Sequence, residues 1–199
     1  MTLIGLGDRR LGIAERKGRQ RAERERRITA AARLIAEGEG WNAVTIRRLA
    51  EEIEYSQPVL YSHFENRDAI VAAVAVEGFR ELAMALQQAG RESTDRRKAL
   101  ENVAMAYLAF ARRHPSLYEA MFTLPTRLRF AEDDTKSELK DGFEALAAVV
   151  APSSADVDVA TETFWAALHG LAELERSGRI RQGARSERVA LVVQGLLRY

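Results

Sequence analysis

Three histidines, His63, His114 and His169, are the side chains best suited to acid–base or metal chemistry in this chain, which has no cysteine. Without cysteine there is no thiolate zinc site, no disulfide framework and no thiol nucleophile. Only His169 has a carboxylate at useful helical spacing, Glu173 four residues on. No glycine-rich phosphate loop and no Ser/His/Asp signature accompanies it, so the set of nucleophile, base and oxyanion donors that an enzyme needs is missing. The expectation is a protein that is not an enzyme, with no metal site and no cofactor. The other chemistry on offer is recognition of an anion. Residues 1–33 carry 10 Lys/Arg against 4 Asp/Glu, and the remaining 166 carry 20 against 25. A formal net charge of +1 over 199 residues therefore hides a basic start on an acidic remainder. Such asymmetry points towards nucleic acid or another anionic surface. The run Arg16–Arg27 reads equally well as the solvated start of a helix or as an arm that tracks a polyanion, because Glu15, Glu23 and Glu25 interrupt it.

The elements that must position such groups are helices. Alternating apolar patterns are nearly absent and helical spacing recurs along almost the whole chain, so the fold class is all-α. Ile28, Ala31, Ala32 and Ile35 line a first helix that stops at Gly38-Glu39-Gly40. Ile46, Leu49, Ala50 and Ile53 line a short second helix capped by Thr45. Leu60 and Phe64 form the stripe of a third, with Ser56 as its cap and Pro58 in its first turn, where proline is tolerated. Val44 with Leu49, and Tyr55 with Leu60, have the spacing of hydrophobic staples. A fourth helix starts at Asn66. Further stripes cover Leu100–His114, Ser116–Phe122, Leu139–Val150, a long helix after Ser153-Ser154 that stops near Ser177-Gly178, and a last helix through Val189–Leu197. The stretch Pro125–Lys136 is expected to be a loop or a helix start. No apolar run approaches the ~18 residues of a membrane helix.

Residues 45–64 thus hold two short amphipathic helices joined by about three residues, which is the helix-turn-helix layout. Its second helix must keep one side exposed so that its first turn can enter the major groove. Leu60 and Phe64 anchor that helix inward and leave Gln57, Pro58, Tyr61 and Ser62 outside.

At Thr45, Ala50, Ser56, Leu60, Tyr61, His63 and Phe64 the segment resembles the DNA-binding domain of the TetR (tetracycline-repressor) family, over roughly residues 24–72. Leu49 replaces the usual isoleucine, Arg67 the usual lysine, and Glu54 the glycine of the turn. If that turn position needs positive φ, Glu54 costs roughly 1 kcal/mol. The resemblance implies a DNA contact set of Thr45, Arg47, Arg48, Ser56, Gln57, Pro58, Val59, Tyr61, His63 and Arg67. In it Thr45, Tyr61, His63 and Arg67 are phosphate clamps and Gln57 reads a base. Arg47 and Arg48 equally fit plain surface pairing with Glu51 and Glu52 at i+4. It also implies a division into a basic arm at 1–20, a helix-turn-helix domain at 21–66, and an effector-binding and dimerisation domain at 67–199.

In the C-terminal part, Trp165, His169 and Gly170 resemble the Trp-His-Gly signature of one subclass of TetR C-terminal domains. Trp165 and His169 share a helix face and read as pocket, core or dimer seam. With Met105, Phe110, Tyr118, Phe122 and Phe143 they make the expected effector site. The implied function is a cytoplasmic, sequence-specific transcriptional regulator, a repressor released from its operator by a small molecule. Its partners would be near-palindromic double-stranded DNA, that effector, and a second copy paired through the last two helices. The alternative is a helical DNA-binding adaptor or architectural protein without ligand control.

Overall fold

The computed structural model describes residues 5–126, 128, 137–151 and 156–198. Among them every regular element is helical: α1 (Gly5–Glu39), a 3-10 turn (Trp41–Ala43), α2 (Ile46–Glu52), α3 (Gln57–Tyr61), α4 (Arg67–Arg91), α5 (Arg96–Arg113), α6 (Pro115–Phe122), α7 (Ser137–Val150), α8 (Val157–Arg176) and α9 (Arg185–Arg198). The chain divides into two compact units, residues 1–74 and 75–199.

The N-terminal unit closes on an apolar centre. Ile28, Ala32 and Ile35 of α1 bury with Trp41, Val44, Leu49, Leu60 and Ile70. Gly40 turns the chain after α1 with φ 81°, a conformation that favours glycine. Thr45 caps α2, its Oγ1 accepting from the Arg48 N–H at 3.1 Å. Asn66 caps α4 by accepting from the Ala69 N–H at 2.9 Å.

Two expectations need correction here. α3 ends at Tyr61, so Phe64 lies beyond it and is half-buried. The Phe64 N–H still reaches the Leu60 carbonyl at 2.9 Å, a single helical bond after the helix has stopped. Ser56 has extended cap geometry, but its side chain makes no cap bond. Pro58 has no N–H to offer, and the Val59 N–H goes to the Ser56 carbonyl at 3.0 Å. Residues 5–20, the described part of the expected arm, are helical. They are the opening turns of one 35-residue helix. Glu54, the turn residue where glycine was expected, has φ 56°; it is the one non-glycine with positive φ among the described residues.

In the C-terminal unit α5 is central and packs on α6, α7, α8 and α9. Asp95 and Asp156 cap α5 and α8 by accepting from the Lys98 and Val159 N–H groups at 2.8 and 3.1 Å. Ser153 and Ser154, expected to open α8, and most of the Pro125–Lys136 stretch lie outside the described residues. Gly78 is where α4 meets α6. A Cβ there would stand 2.7 Å from Met121 Sδ and 2.8 Å from Leu117 Cδ1, so a larger residue would force those side chains to move. Glu175 of α8 accepts from Arg188 of α9 at 3.2 Å and also pairs with Arg185.

Candidate nucleic-acid interface and effector cavity

The exposed surface of the N-terminal unit is built by a short helix anchored at one residue. Leu60 is fully buried, so α3 must present Gln57, Pro58 and Tyr61 outward, and Tyr61 is 54% exposed. Ser56 is exposed and Val59 half-buried. Arg47 and Arg48 project from α2. Arg47 is 3.8 Å from Glu51, and Arg48 lies 3.2 Å from Glu39 and 3.8 Å from Glu52. The Glu51 and Glu52 pairs are those the spacing offered, Glu39 is an added partner, and exposed pairs of this kind hold weakly, by about 0–1 kcal/mol. They leave both guanidiniums free to exchange a carboxylate for a phosphate.

Two residues expected as phosphate clamps have other partners. His63 has a side chain only 5% exposed, and its Nδ1 lies 3.4 Å from Glu25 Oε1 on α1. Arg67 turns back under α4: its Nε donates to the Val44 carbonyl at 2.7 Å and an Nη to the Trp41 carbonyl at 2.6 Å. Trp41 opens the 3-10 turn ahead of α2 and Val44 follows it. Arg67 therefore ties the start of the helix-turn-helix to α4. Sequence reasoning missed this clamp, and it missed the Arg27 guanidinium, which donates to the Tyr55 hydroxyl at 3.0 Å and lies over the Tyr55 ring. The available signal was Trp41, an aromatic directly after the glycine stop of α1.

The C-terminal unit holds a partly open cavity of about 380 Å³, within the usual range of small-molecule sites. α4 lines it with Phe79, Leu82 and Leu86, α7 with Leu139, Phe143 and Leu146, and α6 and α8 with Phe122 and Trp165. Lys140, Glu144, Asp158 and Glu162 are its charged members, all exposed. Of the expected effector residues, Phe122, Phe143 and Trp165 line this space. Met105 does not: it is 36% exposed on the outer side of α5. Phe110 is buried against His114, ring centroids 5.1 Å apart. Phe143 apart, the lining residues of α4 and α7 were legible only as core, since a stripe at helical spacing does not say whether its far side meets a neighbour or a void.

Tyr118 and His169 stand behind the wall in a hydrogen-bonded chain. Trp165 Nε1–H donates to the Tyr107 hydroxyl at 3.1 Å; the Tyr107 and Tyr118 hydroxyls are 3.0 Å apart; the Tyr118 hydroxyl is 2.7 Å from His169 Nδ1. Indole nitrogen can only donate, so Tyr107 accepts from Trp165; Nδ1 accepts from Tyr118 in the Nε2–H tautomer and donates to it in the Nδ1–H tautomer, both open to a neutral His169. Burial favours the neutral state. Desolvation lowers the His169 pKa below 6.5, against Glu173, which raises it, and with Arg176, which lowers it. Burial likewise pushes Tyr107 up to about 12 and raises Tyr118. Arg176 closes the outer side, 5.2 Å over the Tyr118 ring and donating to the Pro115 carbonyl at 2.9 Å.

An all-helical chain with a helix-turn-helix in one unit and an apolar, partly charged cavity in the other defines a class of one-component DNA-binding regulators. Residues 28–74 match the family described as bacterial regulatory proteins, tetR family, and residues 100–196 match the tetracyclin repressor-like C-terminal domain. The uncharacterized HTH-type transcriptional regulator Rv0681 of Mycobacterium tuberculosis is 30% identical over 158 residues, which cover 76% of this chain and 69% of that one. The tetracycline repressor protein class D of Escherichia coli is 34% identical over 137 residues, 65% of this chain and 62% of that one. A solved structure of a protein of unknown function from Rhodococcus sp. RHA1 superposes with a TM-score of 0.72 at 24% identity, covering 87% of this chain and 93% of that one, and so shares the fold. The chain belongs to the TetR family. It is a DNA-binding transcriptional regulator. No described helix is long and apolar enough to cross a membrane.

Proposed function

We propose that the chain is a homodimeric repressor that works in the cytoplasm and leaves its operator when an apolar small molecule enters the cavity of the C-terminal unit. The observation that carries this is the reach of α4. Arg67 in its first turn holds the Trp41 and Val44 carbonyls ahead of α2, and Phe79, Leu82 and Leu86 further along wall the cavity. One helix thus touches both the reading element and the ligand space. A ligand with different affinity for two positions of α4 shifts DNA affinity by the same coupling free energy, typically about 1–3 kcal/mol.

Within that reading Gln57 and the α3 surface at Pro58, Val59 and Tyr61 contact base edges and thymine methyls, while Thr45, Arg47, Arg48 and Ser56 meet phosphates. DNA binding resides in residues 21–66 and effector binding with dimerisation in 67–199. Pairing runs through α8 and α9, where Val159, Leu174 and Leu191 leave apolar surface exposed. Two-fold pairing presents two copies of α3 to a near-palindromic site.

The test is selection of duplex DNA from a random pool by the purified full-length chain at ~150 mM salt, where non-specific binding has weakened. A two-fold-symmetric enriched sequence is expected. A screen of apolar small molecules on that complex should then find compounds that release it, and Phe143→Trp should abolish release while leaving DNA binding intact. Enrichment without any releasing compound would favour the DNA-binding protein without ligand control. No enrichment at all would remove sequence-specific regulation.

A further inference from the structure

α1 is longer than its unit needs. Its buried residues Ile28, Thr29, Ala31, Ala32, Ile35 and Ala36 fill one sector of the helix, about 160° wide at 3.6 residues per turn. Residues 14–24 of the same helix are exposed on every side. Projected along the helix axis, Lys17, Arg21 and Arg24 fall in that same sector, continuing the core-facing line after the core has ended. Two contacts fix where the sector faces. Glu25, within it, lies 3.4 Å from His63, and Arg27, on its flank, donates to Tyr55 at 3.0 Å. Lys17, Arg21 and Arg24 therefore line the side of α1 that looks towards the helix-turn-helix, reaching past it.

Two of the three acidic residues of this stretch lie away from this line. Glu15 and Glu23 project to the opposite side, where Glu23 pairs with Arg26. Glu25, within the sector, takes Arg21 at 2.8 Å. Lys17 and Arg24 have no carboxylate partner among the described residues. Nothing in the fold demands this sorting: the segment buries no apolar face, and Gly12 and Gly18 weaken it as a helix. A merely solvated helix mixes its signs all round.

We propose that Lys17, Arg21 and Arg24 form a second DNA contact, a stripe that lies along the phosphate backbone flanking the site read by α3. The inference rests on the DNA binding of the helix-turn-helix. Two turns of helix separate Lys17 from Arg24 by ~10 Å, the axial reach of about three nucleotides of one strand. The stripe positions the protein and carries no base readout. It lengthens the footprint beyond the recognised core.

The test compares the full-length chain with Lys17→Gln/Arg21→Gln/Arg24→Gln and with a control that removes three cations from the other side, Arg16→Gln/Arg19→Gln/Arg26→Gln. Binding is measured between 50 and 300 mM salt (~sixfold in concentration) on three duplexes: the selected core with flanks, the same core trimmed flush, and a scrambled sequence with flanks. The stripe variant should flatten the log–log salt slope by about 0.9 for each phosphate it no longer neutralises. It should do so on both flanked duplexes and not on the trimmed one, with the preference for the selected sequence unchanged. Circular dichroism should be the same for the two triple variants. Equal flattening by both variants, or an effect that survives trimming, would overturn the stripe. If the wild-type chain prefers no sequence, the regulatory reading fails, and the slopes on the scrambled duplex still decide the stripe.

Discussion

Replacing Arg67 by alanine separates two jobs that one arginine can do. The Trp41 and Val44 carbonyls would both lose a charged donor, at 2.6 and 2.7 Å. Hydrogen bonds to charged groups contribute about 1.5–3 kcal/mol each, and the low end applies because the Arg67 side chain is 35% exposed. Two such bonds, discounted for solvent, amount to about 2 kcal/mol of stability in the N-terminal unit. With a urea dependence near ~1 kcal/mol/M for a unit of this size, the unfolding midpoint falls by ~2 M. Trp41 reports that unit, so the measurement is made by fluorescence in a Trp165→Phe background, which silences the second tryptophan. Arg67→Lys should recover about half the loss, because an ammonium cannot hold both carbonyls in the fork of a guanidinium. Had Arg67 been a phosphate clamp instead, the midpoint would stay within about 0.5 kcal/mol of wild type, and the salt slope of DNA binding would fall by about 1 per subunit. That pair of results would refute the structural assignment.

Other outcomes follow from single positions. Glu54→Gly should stabilise the N-terminal unit by roughly 1 kcal/mol in the same urea assay, since it relieves φ 56° on a side chain. Gln57→Ala should change base preference at one or two positions of the selected DNA, whereas Arg47→Ala should weaken all sequences alike; unchanged specificity for Gln57→Ala would remove it from the readout. Gly78→Ala should cost about 1–3 kcal/mol in the C-terminal unit through its clash with Met121 and Leu117, seen as a lower thermal midpoint. His169 gives a pH dependence. Its folded pKa is below the ordinary 6.5, so the unfolded chain binds the proton first. Its contribution to stability is intact above pH 6.5 and is lost as pH falls through the lowered folded value, at up to about 1.4 kcal/mol per pH unit. His169→Gln should flatten that part of the stability profile; an unaltered profile would show that another group carries it.

Local rules in the sequence were enough for much of this molecule. The Gly38-Glu39-Gly40 stop, the Thr45 and Asn66 caps, the buried faces at Ile28–Ile35 and Leu49–Leu60, and the exposed Gln57–Tyr61 surface all follow from spacing within one helix or its ends. The same holds for the i+4 partners of Arg47 and Arg48, because four residues of helix set that distance whatever surrounds them. The family was legible for the same reason, its motif being carried by two short helices adjacent in the chain. What the sequence could not supply were meetings between distant residues. Arg67 finds carbonyls 23 and 26 positions back, and His63 faces Glu25 across 38. Side-chain type offers such groups several partners of equal chemistry, and only packing selects one. The effector space is the clearest case. Phe110 and Phe143 look alike as members of helical stripes, yet one fills the core against His114 and the other lines a cavity. A period of 3.6 residues says which way a side chain points; tertiary structure alone decides whether matter or empty space waits there.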